Sequence, residues 1–273
     1  MKKVLLASTA LVAMSGAAFA GAHTDGVSVS GKAGIWLQDN GVDDVMVNYD
    51  LNLSFSAEGT TDGGLTMGLD YTTLEDGTVD NTEVFMSGAF GKLTVGDVDD
   101  ALQMAAGMGD IGYDGIGIDN VAEVARGAGN ASGVLYSYSA DSFAFYLSHS
   151  MDTSADDIAV GVTGSFGGFG IGIGYEDTDA TGGTVAADLS GSFGDASVAV
   201  YYEDSDLGSG YGLEIGYDMG DVGLSLAYAD HDAASDAAVG IGMSYDLGGA
   251  TLAAGVGDAG GETVWDLGVS MDF

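Results

Sequence analysis

Apolar residues recur at every second position along most of this chain, and the helical period is almost absent. In the last segment Trp265, Val269 and Phe273 share one face, while Asp266 and Ser270 lie on the other. Similar alternation runs through residues 45–56, 169–176 and 211–219. The pattern predicts β-strands with one apolar face and one face of glycine, serine and acidic residues. So much glycine on the second face suggests that this face needs room.

The connections between these strands alternate in length. We count sixteen alternating runs from Val27 to Phe273. Connections after even-numbered runs are short and centred on glycine, as at Gly167-Gly168, whereas those after odd-numbered runs are longer and acidic, as at residues 38–44. This rhythm predicts an all-β fold, a transmembrane antiparallel up-and-down β-barrel of about 16 strands. A soluble β-sandwich also alternates, but its crossover connections fit the short–long rhythm less well.

Composition excludes several classes of protein. The chain has 42 Asp and Glu against 5 Lys and Arg, a net charge of -37, so binding to a nucleic-acid backbone is not expected. It has no cysteine, which excludes disulfide scaffolds and thiol chemistry. With 46% hydrophobic residues it is too apolar for a disordered acidic tail. The apolar strand faces are therefore expected to contact membrane lipid, where only a closed barrel leaves no strand edge unpaired.

The N-terminus has the pattern of a secretory signal peptide. Lys2 and Lys3 precede a short apolar stretch at residues 4–14, and Ala18-Phe19-Ala20 supplies a small-x-small cleavage site. We predict a cleaved signal peptide at residues 1–20 and a single outer-membrane barrel domain at residues 21–273.

One connection departs from this alternation of short and long loops, because about thirty residues separate the fifth alternating run from the sixth. This segment, residues 98–132, contains a stretch that favours a short helix at residues 101–106. Its acidic residues are Asp110, Asp114, Asp119 and Glu123, and it also contains Arg126. Long loops in compact proteins are usually functional or disordered. Its apolar and glycine-rich character favours folding back into the lumen over an outward surface loop.

The polar strand face also carries acidic residues. Positions with inward parity are Asp50, Asp70, Glu83, Glu176, Asp188, Glu203, Glu214, Asp218, Asp246, Asp266 and Asp272. Only Lys32 and Lys92 share this parity. Carboxylates on a low-dielectric wall concentrate counter-ions, and rings of Asp and Glu select cations. The sequence therefore predicts a lumen that prefers cations, although many acids belong to the outer loops.

Five segments carry a further signal: residues 61–65, 85–97, 134–140, 245–249 and 266–273. Together they resemble the sixteen-stranded general-diffusion porins of Gram-negative bacteria, especially the alphaproteobacterial type. It implies a homotrimer in outer-membrane lipid whose third external loop, residues 98–132, folds inward as a constriction. By position, the four loop acids would form the acidic side of this constriction. Phe273 resembles the terminal signal that the barrel-assembly machinery reads.

The chain departs from this family on the part of the barrel wall that would face the loop acids. Porins usually face the loop acids with several Arg and Lys side chains. After removal of the signal peptide this sequence has only Lys32, Lys92 and Arg126.

The predicted function is a non-enzymatic, water-filled channel in the outer membrane of a Gram-negative bacterium. It would pass small hydrophilic solutes and ions by passive diffusion, with a preference for cations. No cofactor is expected, although the acidic loops could bind divalent cations weakly. The alternative is an outer-membrane binding or adhesion barrel with acidic ion-binding loops. A third class is a soluble, acidic secreted protein.

Sequence motifs for other chemistry are weak. The three histidines His23, His149 and His231 lie far apart and match no metal or catalytic spacing. Residues 255–260 match G-x-G-x-x-G, but a strand rather than a βαβ unit follows. No catalytic constellation is predicted.

Overall fold

The structure is a computed structural model that describes residues 26–125, 130–151, 156–179 and 182–273. The predicted signal peptide and Arg126 lie outside these described residues. Within them the strands are β1 (Gly26–Asp39), β2 (Met46–Thr60), β3 (Thr66–Thr73), β4 (Val79–Gly88), β5 (Gly91–Val98), β6 (Asn130–Ala140), β7 (Phe143–Ser150), β8 (Ile158–Phe166), β9 (Phe169–Thr178), β10 (Gly182–Phe193), β11 (Ala196–Ser205), β12 (Gly208–Asp218), β13 (Val222–His231), β14 (Ala238–Asp246), β15 (Thr251–Ala259) and β16 (Glu262–Asp272). One short helix, α1 (Asp119–Ala122), lies between β5 and β6.

The sheet is a closed barrel in which each strand pairs antiparallel with its neighbours in sequence, and β1 pairs with β16. At the closure Gly31 and Phe273 exchange two backbone hydrogen bonds of 2.8 and 2.9 Å. Every described strand is therefore hydrogen-bonded to a neighbour on both sides, and no strand edge is left open, as a barrel in lipid requires. The predicted sixteen-stranded up-and-down fold is confirmed.

Tight turns follow the even-numbered strands, as predicted. Gly167 and Gly168 alone join β8 to β9, and both adopt positive φ angles of 61° and 89° that favour glycine. Two of the predicted longer loops at the opposite rim are short in the structure. Only residues 206–207 join β11 to β12, and only residues 260–261 join β15 to β16. There the acidic residues expected in loops, such as Asp204 and Asp258, belong to strands.

The outer face of the barrel is apolar. Ile35 on β1, Ile173 on β9 and Leu267 on β16 are well exposed. The residues that alternate with them along each strand point inward. Aromatic residues that the sequence places near strand ends, such as Tyr217, are exposed in the same way, whereas Tyr201 is only 4% exposed. Because Tyr201 and Tyr202 are adjacent on one strand, they must point to opposite faces.

The buried core lies inside the barrel, between the long connection and the wall. This connection, residues 99–129, is slightly shorter than the predicted segment 98–132, because β6 begins at Asn130. The helix expected at residues 101–106 is a single turn, with backbone bonds from Met104 to Asp100 and from Ala106 to Leu102. The helix forms instead at α1. No helix in the described ranges is long and apolar enough to cross a bilayer.

Candidate channel constriction

We call residues 99–125, the described part of the connection between β5 and β6, the inner loop. Its apolar side chains Leu102, Ile111 and Ile118 are buried against alanines of the barrel wall. Among the described strands, the alanines with no exposed surface are Ala186, Ala227, Ala229 and Ala238, on β10, β13 and β14. The predicted inward folding of the third external loop is therefore confirmed.

Glycines on the inner face of the wall allow this close approach. A Cβ atom at Gly172 would collide with the backbone oxygen of Ala105, and one at Gly210 would collide with that of Ala122. A Cβ atom at Gly255 would lie 2.8 Å from the Cα atom of Gly112. The glycine-rich face predicted to need room thus makes room for the inner loop. We call the inner face of β7–β16 the covered wall.

Polar side chains of the covered wall accept hydrogen bonds from backbone amides of the inner loop. Ser148 Oγ accepts from the Ala101 amide at 2.8 Å, and Glu214 Oε1 accepts from the Gly109 amide at 2.6 Å. Glu203 Oε1 accepts from the buried Ala125 amide at 3.0 Å. Amides that lack helix or sheet partners are satisfied in this way, as buried backbone groups must be. These wall carboxylates therefore hold the inner loop.

Two of the four predicted constriction acids also hold the inner loop together. Asp110 accepts hydrogen bonds from the amides of Gly117 and Ile118 at 2.6 and 3.1 Å. Glu123 accepts one from the Met108 amide at 2.6 Å. Of the other two, Asp119 accepts a local 2.8 Å bond from the amide of the next residue, Asn120, and Asp114 is exposed.

Two of the predicted constriction acids, Asp114 and Asp119, have a raised pKa. Burial raises the pKa of Asp119 to about 6 from its ordinary value of 3.8, and the charges of Asp110 and Glu123 add to the rise. Burial also raises the pKa of Asp114, with contributions from the charges of Asp266 and Asp50. Asp119 therefore changes charge close to neutral pH.

The inner face of β2–β4 is polar and part-exposed, and we call it the open wall. It presents three predicted wall acids, Asp50, Asp70 and Glu83, with Asp70 directly opposite Glu83 across the β3–β4 ladder. Hydroxyls and amides fill the positions between them. Ser54 and Thr72 share a 2.8 Å hydrogen bond.

The other predicted wall acids divide by location. Asp188 on β10 and Glu214 on β12 lie close enough to interact electrostatically. Asp218 and Asp246 have inward parity but lie at the tight-turn rim, where each accepts a 2.7 Å hydrogen bond from a turn glycine amide.

The prediction that Glu176 and Asp266 face the water of the lumen is wrong. Glu176 is 2% exposed and Asp266 is 1% exposed, because the inner loop covers their part of the wall. Glu203, which has the same parity, is completely buried. Alternation correctly places these side chains on the inner face, but it cannot reveal that a distant segment lies over them.

The two described cations lie apart. Lys32 Nζ is 5.4 Å from the ring centre of Tyr113 on the inner loop, whose ring also packs on Trp36 at 5.2 Å between centres. Lys92 Nζ is 4.3 Å from the ring centre of Phe85 on β4. The third predicted cation, Arg126, lies outside the described residues. The pairing of Lys32 with Tyr113 places one positive charge beside the inner loop.

No group of three or more His, Asp or Glu side chains suited to a metal ion occurs in the described part of the chain. Between β7 and β10, Asp179 Oδ2 accepts a 3.4 Å bond from the Asp156 amide, and the Asp179 amide donates to Asp157 at 3.1 Å. Weak divalent-cation binding by the acidic loops therefore stays a prediction.

Sequence reasoning missed one buried polar contact. His231 Nε2 lies 3.3 Å from Glu203 Oε1, with both side chains completely buried, although the geometry at Nε2 does not make a hydrogen bond. His231 Nδ1 accepts a 2.9 Å bond from the Ala233 amide, and Tyr201 donates to the other Glu203 oxygen at 2.9 Å. Inward parity was the only available signal for this contact.

Comparison with known proteins places the chain in a family. The Gram-negative porin family matches residues 7–263, and the chain belongs to this family. A porin of Rhodobacter capsulatus is 33% identical over 177 residues, which cover 56% of this chain and 57% of that porin. The chain thus aligns with little more than half the length of this curated relative.

Solved porin structures share the fold. An engineered variant of Rhodopseudomonas blastica porin superposes with a TM-score of 0.78 at 23% identity, covering 90% of this chain and all of that one. A triple mutant of the same porin gives 0.78 at 22% identity, with the same coverage. At this level of identity the match concerns the fold alone. Membership of the family places the chain in the Gram-negative outer membrane.

Proposed function

We propose that this protein is a water-filled outer-membrane channel for passive diffusion of small hydrophilic solutes and ions, with a preference for cations. The observation that carries the proposal is the open wall, since its polar side chains stay part-exposed while the inner loop packs on the rest of the barrel. A sixteen-stranded barrel is wide enough to leave an aqueous path, whereas eight to ten strands would be filled by side chains.

The preference for cations follows from the charges beside this path. Asp50, Asp70 and Glu83 lie on the open wall, and Asp114 is exposed on the inner loop. Lys32 and Lys92 are the only described Lys or Arg side chains that oppose them. A low-dielectric wall focuses the field of these carboxylates into the lumen and raises the local cation concentration. High salt would weaken the preference, because it shortens the screening length.

Assembly and chemistry complete the proposal. The protein acts as a homotrimer in outer-membrane lipid, reaches it after removal of residues 1–20, and carries Phe273 as a signal for the barrel-assembly machinery. It carries out no catalysis and needs no cofactor. Phe273 is 55% exposed and is tied to Gly31 at the barrel closure, so its ring is accessible to a recognising protein.

Reconstitution in liposomes tests the proposal. Proteoliposomes should swell in small sugars at rates that fall with sugar size, and planar-bilayer currents in a KCl gradient should reverse at a potential that indicates cation preference. Absence of swelling and of channel steps would contradict a channel and favour the binding or adhesion barrel. A reversal potential of the opposite sign would contradict the cation preference alone.

A further inference from the structure

Asp266, on the last strand, is a buried carboxylate that accepts three backbone hydrogen bonds. Its Oδ2 atom accepts from the amides of Tyr113 and Asp114 at 2.7 and 2.8 Å. Its Oδ1 atom accepts from the Gly255 amide of the neighbouring strand at 2.8 Å. The side chain is 1% exposed, so the carboxylate is not available to ions in the lumen.

The surrounding residues are shaped for this contact. Gly112 has φ of 109°, which turns the chain so that the next two amides point at the same oxygen. Successive amides arranged in this way form a concave anion-binding group. A Cβ atom at Gly112 would collide with the Asp266 carboxylate, and one at Gly255 would lie 2.8 Å from the Gly112 Cα atom. Side chains larger than hydrogen would push the two segments apart.

The anchored segment bears the groups beside the lumen. Tyr113 packs on Trp36 with ring centres 5.2 Å apart, and Lys32 Nζ lies 5.4 Å from the centre of the Tyr113 ring. Asp114, the next residue, is exposed. A change in the position of residues 113–114 would therefore move an aromatic ring and a carboxylate relative to the opposing lysine.

We propose that Asp266 is a positioning residue that sets the geometry of the constriction by clamping residues 113–114 of the inner loop to β16. Its charge is used to bind amides rather than to attract permeating cations. This assignment rests on the proposed channel function, which it deepens by separating a wall acid that holds the inner loop from wall acids that face the lumen.

The test compares Asp266→Asn with Asp70→Asn. Each variant removes one negative charge from the inner wall, but Asp70 lies on the open wall opposite Glu83. Single-channel conductance is measured in 1 M KCl, where the screening length is about 3 Å and charge effects are small. Hydrogen exchange of the peptide that contains residues 113–114 is measured on the folded protein in detergent.

In Asp266→Asn we expect exchange at residues 113–114 to become about tenfold faster or more, since local opening controls exchange of protected amides. We also expect a conductance shift at high salt that exceeds the shift in Asp70→Asn, while Asp70→Asn exchanges like the unmodified protein. Equal behaviour of the two variants in both measurements would overturn the proposal.

A second variant protects the test against misfolding. Gly255→Ala leaves every charge in place but crowds Gly112, and we expect it to speed exchange and shift conductance in the same way. Gly170→Ala is the control, because its new methyl group would meet only the Ser190 hydroxyl. If Gly255→Ala matches Gly170→Ala in both measurements, the proposal fails. If the unmodified protein forms no channels but Asp266→Asn still speeds exchange, the proposed function fails and the anchor stands.

Discussion

The covered wall and the open wall consist of strands with the same alternating pattern, yet the side chains on their inner faces have different roles. The covered wall presents glycine and alanine to the inner loop, and its carboxylates Glu203, Glu214 and Asp266 accept loop amides. The open wall presents hydroxyls, amides and carboxylates that stay part-exposed. An acidic side chain in the lumen therefore acts as a structural acceptor or as a charge for ions, according to whether the inner loop covers it.

Removing the inner loop should have the largest effect. Replacing residues 101–122 with a short Gly-Ser linker removes the segment that occupies the lumen. We expect single-channel conductance to rise by about twofold or more, because a bare sixteen-stranded barrel has a wide channel. Liposome swelling should also admit larger sugars.

Shortening residues 75–77, in the loop between β3 and β4, is the control and should leave conductance unchanged. An unaltered conductance after removal of the inner loop would refute its assignment as the constriction.

Crowding the covered wall should be the next largest effect. Gly172→Ala places a methyl group against the backbone oxygen of Ala105, whereas Gly170→Ala, two residues earlier on the same strand face, meets only the Ser190 hydroxyl. We expect Gly172→Ala to lower the free energy of unfolding by roughly 1–3 kcal/mol, as overpacking of a filled core does. The measurement is the urea midpoint at which the folded electrophoretic band disappears.

Gly170→Ala should shift that midpoint much less. Similar midpoints for the two variants would show that the inner loop does not press on this part of the wall.

Removing a charge should distinguish the walls by selectivity. Asp50→Asn on the open wall should lower the cation-to-anion permeability ratio in dilute KCl by about twofold, since a wall charge sets the local ion concentration. Glu203→Gln on the covered wall removes the same formal charge from a completely buried site, so the ratio should stay near its original value. Reversal potentials in a KCl gradient measure the permeability ratio of each variant. An equal fall of this ratio in the two variants would contradict the distinction between the open wall and the covered wall.

A smaller effect should come from pH. The pKa of Asp119 is raised to about 6 by burial and by its acidic neighbours, so its charge is present above that pH and lost below it. Cation preference should therefore weaken between pH 7 and pH 5. Asp119→Asn should start with a weaker preference and lose most of this pH dependence. A preference that strengthens on acidification would contradict the assignment.

The barrel itself could be predicted from sequence because strand alternation and turn glycines are local signals. The run from Trp265 to Phe273 and the Gly167-Gly168 turn need no information from distant residues. The inner loop was also recognisable, since its length and apolar character depart from the rhythm.

The roles of individual acids could not be predicted, because parity reports only the face on which a side chain lies. Asp70 and Asp266 have identical inward parity, and only the path of the inner loop makes one part-exposed and the other buried. The contact of His231 with Glu203 depends on the same coverage. The N-terminal signal, the trimer and the role of Phe273 stay predictions.

Cysteine accessibility tests the division between the walls most directly, because the chain has no cysteine of its own. The two variants are Ser54→Cys and Ala227→Cys. Ser54 lies on the open wall, whereas Ala227 lies on the covered wall and has no exposed surface. The measurement is the rate at which cationic and anionic methanethiosulfonates modify each variant in membranes. The account predicts fast modification of Ser54→Cys, faster with the cationic reagent, and slow modification of Ala227→Cys. Equal rates at the two positions, or a faster anionic reagent at Ser54→Cys, would contradict it.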